Sequence, residues 1–100
     1  MLAVPEVYFI FSDEQGSGRG HGGHFHLRKH ETMLAVAGTV VVTLRQGNME
    51  EVVSLSDPSR ALLIPPGVWH RAAVPKGAIL GVLASTVHDP ADTFEEPVSD

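Results

Sequence analysis

Four side chains have the types and spacing for acid/base or metal chemistry: His24, His26, Glu31 and His70. His24 and His26 are two residues apart, so on a β-strand both imidazoles leave the same face. Glu31 opens the next apolar run, and His70 lies far along the chain. An imidazole titrates at about pH 6.5 and can both take and give a proton near neutrality, which suits proton transfer beside a carbonyl. Three imidazoles and a carboxylate would equally suit one divalent ion, Zn²⁺, Fe²⁺, Mn²⁺ or Ni²⁺, and ligand type does not choose among them. The two uses conflict at His24 and His26, because a lone pair given to a metal is no longer free to take up and pass on a proton.

Other residues are candidates for holding a ligand. Alternation places Arg28 on the same face as the histidine pair, and Arg19 sits in the preceding glycine-rich loop. With Lys29, Arg60 and Arg71 they are the candidate cations for an anionic group; a solvated surface charge is the alternative for each. Tyr8 is a candidate substrate contact or site acid, or else a tyrosine packed within its strand. His21 and His30 fall off the inward face and are assigned to a loop and the surface; His88 is assigned no role. Trp69 is read as core or subunit interface.

The elements that must position these groups are short strands. Residues 4–11, 22–28, 31–37, 39–44, 51–55, 61–64, 68–74 and 78–85 are rich in β-branched, aromatic or alternating apolar residues. Glycine, proline and Asx clusters separate them, among them Gly47-Asn48, Asp57-Pro58, Pro65-Pro66-Gly67 and Pro75-Lys76-Gly77. No stretch sustains a helical period. About eight strands at this spacing predict an all-β sandwich or small barrel, whose closure also hides apolar edges. Residues 12–20 read as a loop, either at the mouth of a site or simply on the surface, and the polar, acidic segment from Thr86 onward as an extended or poorly ordered tail.

Composition sets the outer limits. One hundred residues make one domain, which buries roughly 60–65% of its unfolded surface. The net charge of −5 argues against a nucleic-acid binder without excluding a small anionic ligand. With no cysteine there is no disulfide, thiolate site or cysteine nucleophile. The N-terminal residues lack the pattern of a signal peptide, and no apolar run approaches the ~20 residues of a membrane span. A cytoplasmic protein without a membrane partner is the expectation.

The spacing Gly18-x5-His24-x-His26-x4-Glu31-x6-Gly38 resembles the first motif of the cupin superfamily at every fixed position. Pro65, Gly67 and His70 match the second motif, with Ser59 and Val74 where its glycine and asparagine would stand. Val7–Phe11, Gly22–His26, Leu63–His70 and Gly77–Ser85 look like the nucleotide-sugar 3,4-ketoisomerases, the WxcM-like or FdtA-type cupins. The resemblance implies a single RmlC-like jelly-roll barrel of two antiparallel sheets. Its core would run from about residue 5 to 85, with 86–100 as the tail. It implies a homodimer that isomerises dTDP-4-keto-6-deoxyglucose or a related nucleotide-linked sugar, with His24 and His26 as acid/base residues and Arg19, Arg28 and Tyr8 near the substrate. In other cupins the residues matching His24, His26, Glu31 and His70 hold one metal ion. That leaves a metal-dependent dioxygenase or a non-catalytic ligand-binding module as the alternative. The sequence departs from the ketoisomerase pattern at His21, Phe25 and Glu31, where relatives carry arginine, a small residue and glutamine.

Overall fold

A computed structural model describes residues 6–11, 20–86 and 90–94. Eight strands run in chain order: β1 (Glu6–Phe11), β2 (Gly20–His24), β3 (Glu31–Ala37), β4 (Val40–Gln46), β5 (Met49–Leu55), β6 (Leu62–Ile64), β7 (Trp69–Ala73) and β8 (Ile79–Ala84). They form two antiparallel four-stranded sheets, ordered β1-β8-β3-β6 and β2-β7-β4-β5. This is the expected double-sheet β architecture, with strand ends displaced by one or two residues at most elements.

Alternation explains which residues face inward. Along β3 the inward set is Glu31, Met33 and Ala35; along β4 it begins with Val40 and Val42. Val40, Val42, Leu80 and Val82 are fully buried and join Met33, Ile64 and Ala72 between the sheets. Each such aliphatic side chain contributes roughly 1.5–3 kcal/mol by leaving water. β1 alternates the other way about its own axis: Tyr8 and Ile10 pack on the core, while Val7, Phe9 and Phe11 remain exposed on the outer face.

Two expectations need correction. The second strand was expected to run to Arg28, but β2 ends at His24 after a register shift between Gly22 and His24. Gly23 has φ +68°, a backbone setting that favours glycine, and it forms the bulge that ends regular pairing. The expected loose tail is not loose at 90–94. Pro90–Asp92 form a 3-10 turn, Phe94 pairs as an isolated bridge with Phe25, and their rings stack at 5.0 Å. The loop expected over residues 12–20 lies, but for Gly20, outside the described residues.

Candidate active site

Three strands and one loop bring the site together. Glu31 begins β3, a central strand paired to Ala84 on one side and Ile64 on the other, so its backbone is fixed from both flanks. His70 on β7 is in register with His24 on β2 and with Leu44 on β4. His26 follows β2 in the loop, and Gly67 N–H donates to its carbonyl. The rings of His24 and His26 meet edge to face at 4.7 Å, as do those of His24 and His70. One candidate ligand atom from each of His24, His26, Glu31 and His70 falls within 4.8 Å of the others.

The tautomers of two histidines follow from their neighbours. Nδ1 of His26 lies 2.7 Å from the Asp92 carbonyl oxygen, and Nδ1 of His70 lies 3.1 Å from that of Val68. A carbonyl oxygen can only accept, so both Nδ1 atoms carry hydrogen. In each neutral ring the lone pair is then on Nε2. Those two nitrogens lie 3.2 Å and 3.0 Å from the same atom, Oε1 of Glu31. None of the three atoms has a well-aligned hydrogen-bond partner, and all are buried. Lone pairs facing a carboxylate oxygen at this distance repel, unless a second proton or a cation lies among them.

The electrostatics follow this geometry. Burial alone would push the His26 ring down, but the Glu31 carboxylate and the Asp92 carbonyl outweigh it and raise its affinity for a second proton. Burial pushes the Glu31 carboxyl up, yet His26 and His70 together hold it well below the usual carboxylate range. The Tyr8 hydroxyl donates to Oε2 of Glu31 at 3.1 Å. Burial first, then the Glu31 charge, push that phenol well above its ordinary value, so it stays protonated. A cleft of about 320 Å³ opens onto the group, lined by Glu6, Tyr8, His24, His26, Lys29 and Thr93.

Other sequence-predicted residues fall elsewhere. Arg28 does not share the inward face: with the strand ended at His24, its side chain is 68% exposed and its Nε lies 3.8 Å from Oδ1 of Asp92. Phe25 is buried against Phe94, while Leu27, two residues on, is exposed. His30 is exposed, as expected. Arg19 and His88 lie outside the described residues, as does the side chain of His21. Trp69 is buried on the face opposite His70, with the Arg45 guanidinium 4.9 Å above its ring.

Asp92 is the residue that sequence reasoning missed. Its carboxylate accepts from the backbone N–H groups of Leu27, Arg28 and Lys29 at 2.9–3.2 Å, while its carbonyl holds His26. The one signal was Phe94 two residues on, a large aromatic residue in an otherwise polar segment.

Two antiparallel sheets closing over a His/His/Glu/His cluster define a cupin of the RmlC-like kind. The family model described as "FdtA: WxcM-like, C-terminal" matches residues 2–98, and the chain belongs to that family. Over 96 residues it is 29% identical to the TDP-4-oxo-6-deoxy-alpha-D-glucose-3,4-oxoisomerase of Aneurinibacillus thermoaerophilus, covering 95% of this chain and 68% of that protein. The 3,4-ketoisomerase QdtA of Thermoanaerobacterium thermosaccharolyticum, solved with TDP, superimposes with a TM-score of 0.85 at 30% identity, over 93% of this chain and 67% of that one. The RmlC epimerase of Mycobacterium tuberculosis shares the fold at a TM-score of 0.74 and 20% identity, over 92% of this chain and 50% of that one.

Proposed function

We propose that this protein is a sugar 3,4-ketoisomerase acting on a TDP-linked 4-keto-6-deoxy sugar, with His24 and His26 moving the protons. Two of the relatives named above, the Aneurinibacillus oxoisomerase and QdtA, are named for that activity, and a QdtA mutant has been solved with TDP-4-keto-6-deoxyglucose. The observation that carries the reading is the edge-to-face His24–His26 pair lining one cleft, with Nδ1 of His26 held by Asp92 and Nε2 facing the Glu31 carboxylate. The reaction needs a base to take the proton from C3, beside the C4 carbonyl. It then needs an acid to deliver one to C4, leaving the carbonyl at C3. His26, the ring with raised proton affinity, enters as the acid, and His24 as the base. Tyr8, kept protonated, donates to Glu31 and fixes that carboxylate against His26. The test is NMR of TDP-4-keto-6-deoxyglucose incubated with chelator-treated and with metal-supplemented protein. Appearance of the 3-keto isomer is expected; no conversion in either form overturns the reading.

A second reading rests on the three buried, unpartnered atoms Nε2 of His26, Nε2 of His70 and Oε1 of Glu31. With His24 they would hold one divalent ion, Zn²⁺, Fe²⁺, Mn²⁺ or Ni²⁺, and the donor set fits such an ion. When bound it would polarise a substrate carbonyl as a Lewis acid.

The same proposal includes a homodimer. Val7, Phe9 and Phe11 of β1, Val36 of β3 and Leu63 of β6 are exposed on the outer face of the first sheet. Gly81, opposite Phe9 and Leu34, leaves room for Phe9, Leu34 and Val36 to meet over it. An apolar sheet face of this kind suits a second copy of the chain. The proposed setting is the cytoplasm; no helix among the described residues is long and apolar enough to cross a membrane.

A further inference from the structure

Lys29 is only 4% exposed and lines the cleft together with His24, His26 and Tyr8. Lysine is among the residues least often buried, and when buried it is normally paired. Here the backbone N–H of Lys29 is held by Oδ2 of Asp92 at 3.2 Å, which fixes where the side chain starts. Among the described residues its ammonium makes no ion pair or hydrogen bond, and the nearby Glu31 carboxylate is already engaged with Tyr8, His26 and His70. Its charge is close enough to oppose a second proton on His26. A cation on the cleft wall beside the proton-transfer pair, sharing that lining with the Glu6 carboxylate but with an ammonium that bonds no described group, is arranged to meet negative charge on the ligand.

Resting on the isomerase reading above, we propose that Lys29 is a catalytic residue: its ammonium stabilises the enediolate oxygen that forms as the C3 proton leaves. The step balances without a co-reactant. The C3–H bond breaks, its electron pair forms the C3–C4 double bond, and the carbonyl π pair moves onto O4. Lys29 neutralises that oxygen. The proton on O3 is then lost as O4 gains one, and a proton added at C4 gives the 3-keto sugar. The cation acts at this end of the ligand and not on its diphosphate, because it shares the cleft lining with the two rings that must reach C3 and C4.

The test uses the full chain and three variants, Lys29→Met, Lys29→Gln and Lys29→Arg. Measured are kcat, KM, the affinity for TDP, exchange of the substrate C3 hydrogen with solvent deuterium, and the melting temperature. Lys29→Met and Lys29→Gln should lower kcat and C3 exchange by about 100-fold or more. KM and TDP affinity should change little, and Lys29→Arg should keep part of the rate. Removing a cation that no described group pairs should leave the melting temperature of Lys29→Met level or higher, where a structural lysine would lower it. Rates near wild type in both neutral variants overturn the assignment, as does a loss confined to TDP affinity, which would place the ammonium on the diphosphate. If the wild type neither converts substrate nor exchanges C3 hydrogen, the isomerase reading itself has failed, and Lys29 with it. An active wild type with indifferent variants removes Lys29 alone.

Discussion

His26 and Asp92, 66 residues apart in the chain, meet through a 2.7 Å contact between Nδ1 of the ring and the main-chain oxygen. The tautomer of a site histidine is therefore set by a backbone atom. That atom is in turn positioned by its own side chain, which accepts the N–H groups of Leu27, Arg28 and Lys29. The carboxylate and the carbonyl of one residue thus grip both ends of the short loop that carries His26 and Lys29.

Replacing Asp92 by alanine leaves three N–H donors without their acceptor, two of them on exposed residues that water can reach and one on buried Lys29. The melting temperature should fall by about 5 °C or more. The rate should fall beyond what the lost stability explains, because the loop no longer presents His26 in one tautomer. Nitrogen NMR of the imidazoles would read this directly: a single Nδ1–H form for His26 in the wild type, a tautomer mixture in Asp92→Ala. An unchanged His26 spectrum in the variant would refute the positioning role.

The same carboxylate gives a pH dependence of known sign. Burial pushes Asp92 up, but the Leu27, Arg28 and Lys29 N–H groups, with the Arg28 charge, hold it below its ordinary value. A group whose folded-state pKa is depressed contributes stability above its unfolded value, about 3.9, and loses it as pH falls through the folded value. In chelator-treated protein, the stability gap between wild type and Asp92→Asn should be widest above about pH 5 and should close on acidification. Urea melts across that range measure it; a gap that widens toward acid contradicts the assignment.

The contrast between Glu31 and Asp92 shows what the sequence can carry. The span of β3 is read without error, because a continuous apolar run, Met33 to Ala37, is bracketed by Glu31 and Gly38. His24, Glu31 and His70 are legible because they stand on strands, where side-chain direction follows from count. His26 converges with them although its strand has ended; the alternation that placed it correctly fails two residues on, at Arg28, because nothing in a period-two pattern announces the bulge at Gly22–His24. Asp92 was not legible at all. Its contacts run 63 to 66 residues back along the chain, and a local reading sees only an acidic residue in a polar segment.

The outer face of the first sheet makes a prediction about assembly. Phe9→Asp or Phe11→Asp places a charge among exposed apolar side chains and touches nothing in the core. Sedimentation velocity should show a dimer for the wild type and a monomer for either variant at the same concentration. A wild-type monomer, or variants that still dimerise, would show that this face does not join two copies.

Gly38, the last fixed position of the motif, tests the link between spacing and packing. It has φ +67°, and a Cβ there would lie 3.0 Å from Cα and 3.1 Å from Cβ of Ala78. Gly77 has a similar φ of +88° but open space around it. The left-handed backbone alone costs a non-glycine residue roughly 1–2 kcal/mol. Gly77→Ala should therefore lose about that much, and Gly38→Ala distinctly more, because the β3–β4 turn must also move off Ala78. Equal losses in denaturant melts would mean that the contact with Ala78 relaxes freely.

Glu31 decides between the two chemistries offered by the same cluster. Its Oε1 sits between Nε2 of His26 and Nε2 of His70, and its charge is what makes either a second proton or a metal favourable there. Glu31→Gln keeps the shape and the possibility of a hydrogen bond from Tyr8 while removing that charge. If the cluster works as a proton-transfer site, the chelated wild type converts substrate, and Glu31→Gln alters its pH–rate profile because His26 loses the partner that raises its proton affinity. If the cluster holds a divalent ion, wild-type protein purified without chelator carries near-stoichiometric metal. Added Zn²⁺ or Ni²⁺ at about 100 times its dissociation constant would then stabilise it by about 2.7 kcal/mol. Glu31→Gln, short of one anionic ligand, would lose most of that gain. Elemental analysis and melting curves of the two proteins, with and without added ion, separate the outcomes: a melting temperature indifferent to metal in both leaves the carboxylate as the partner of a proton.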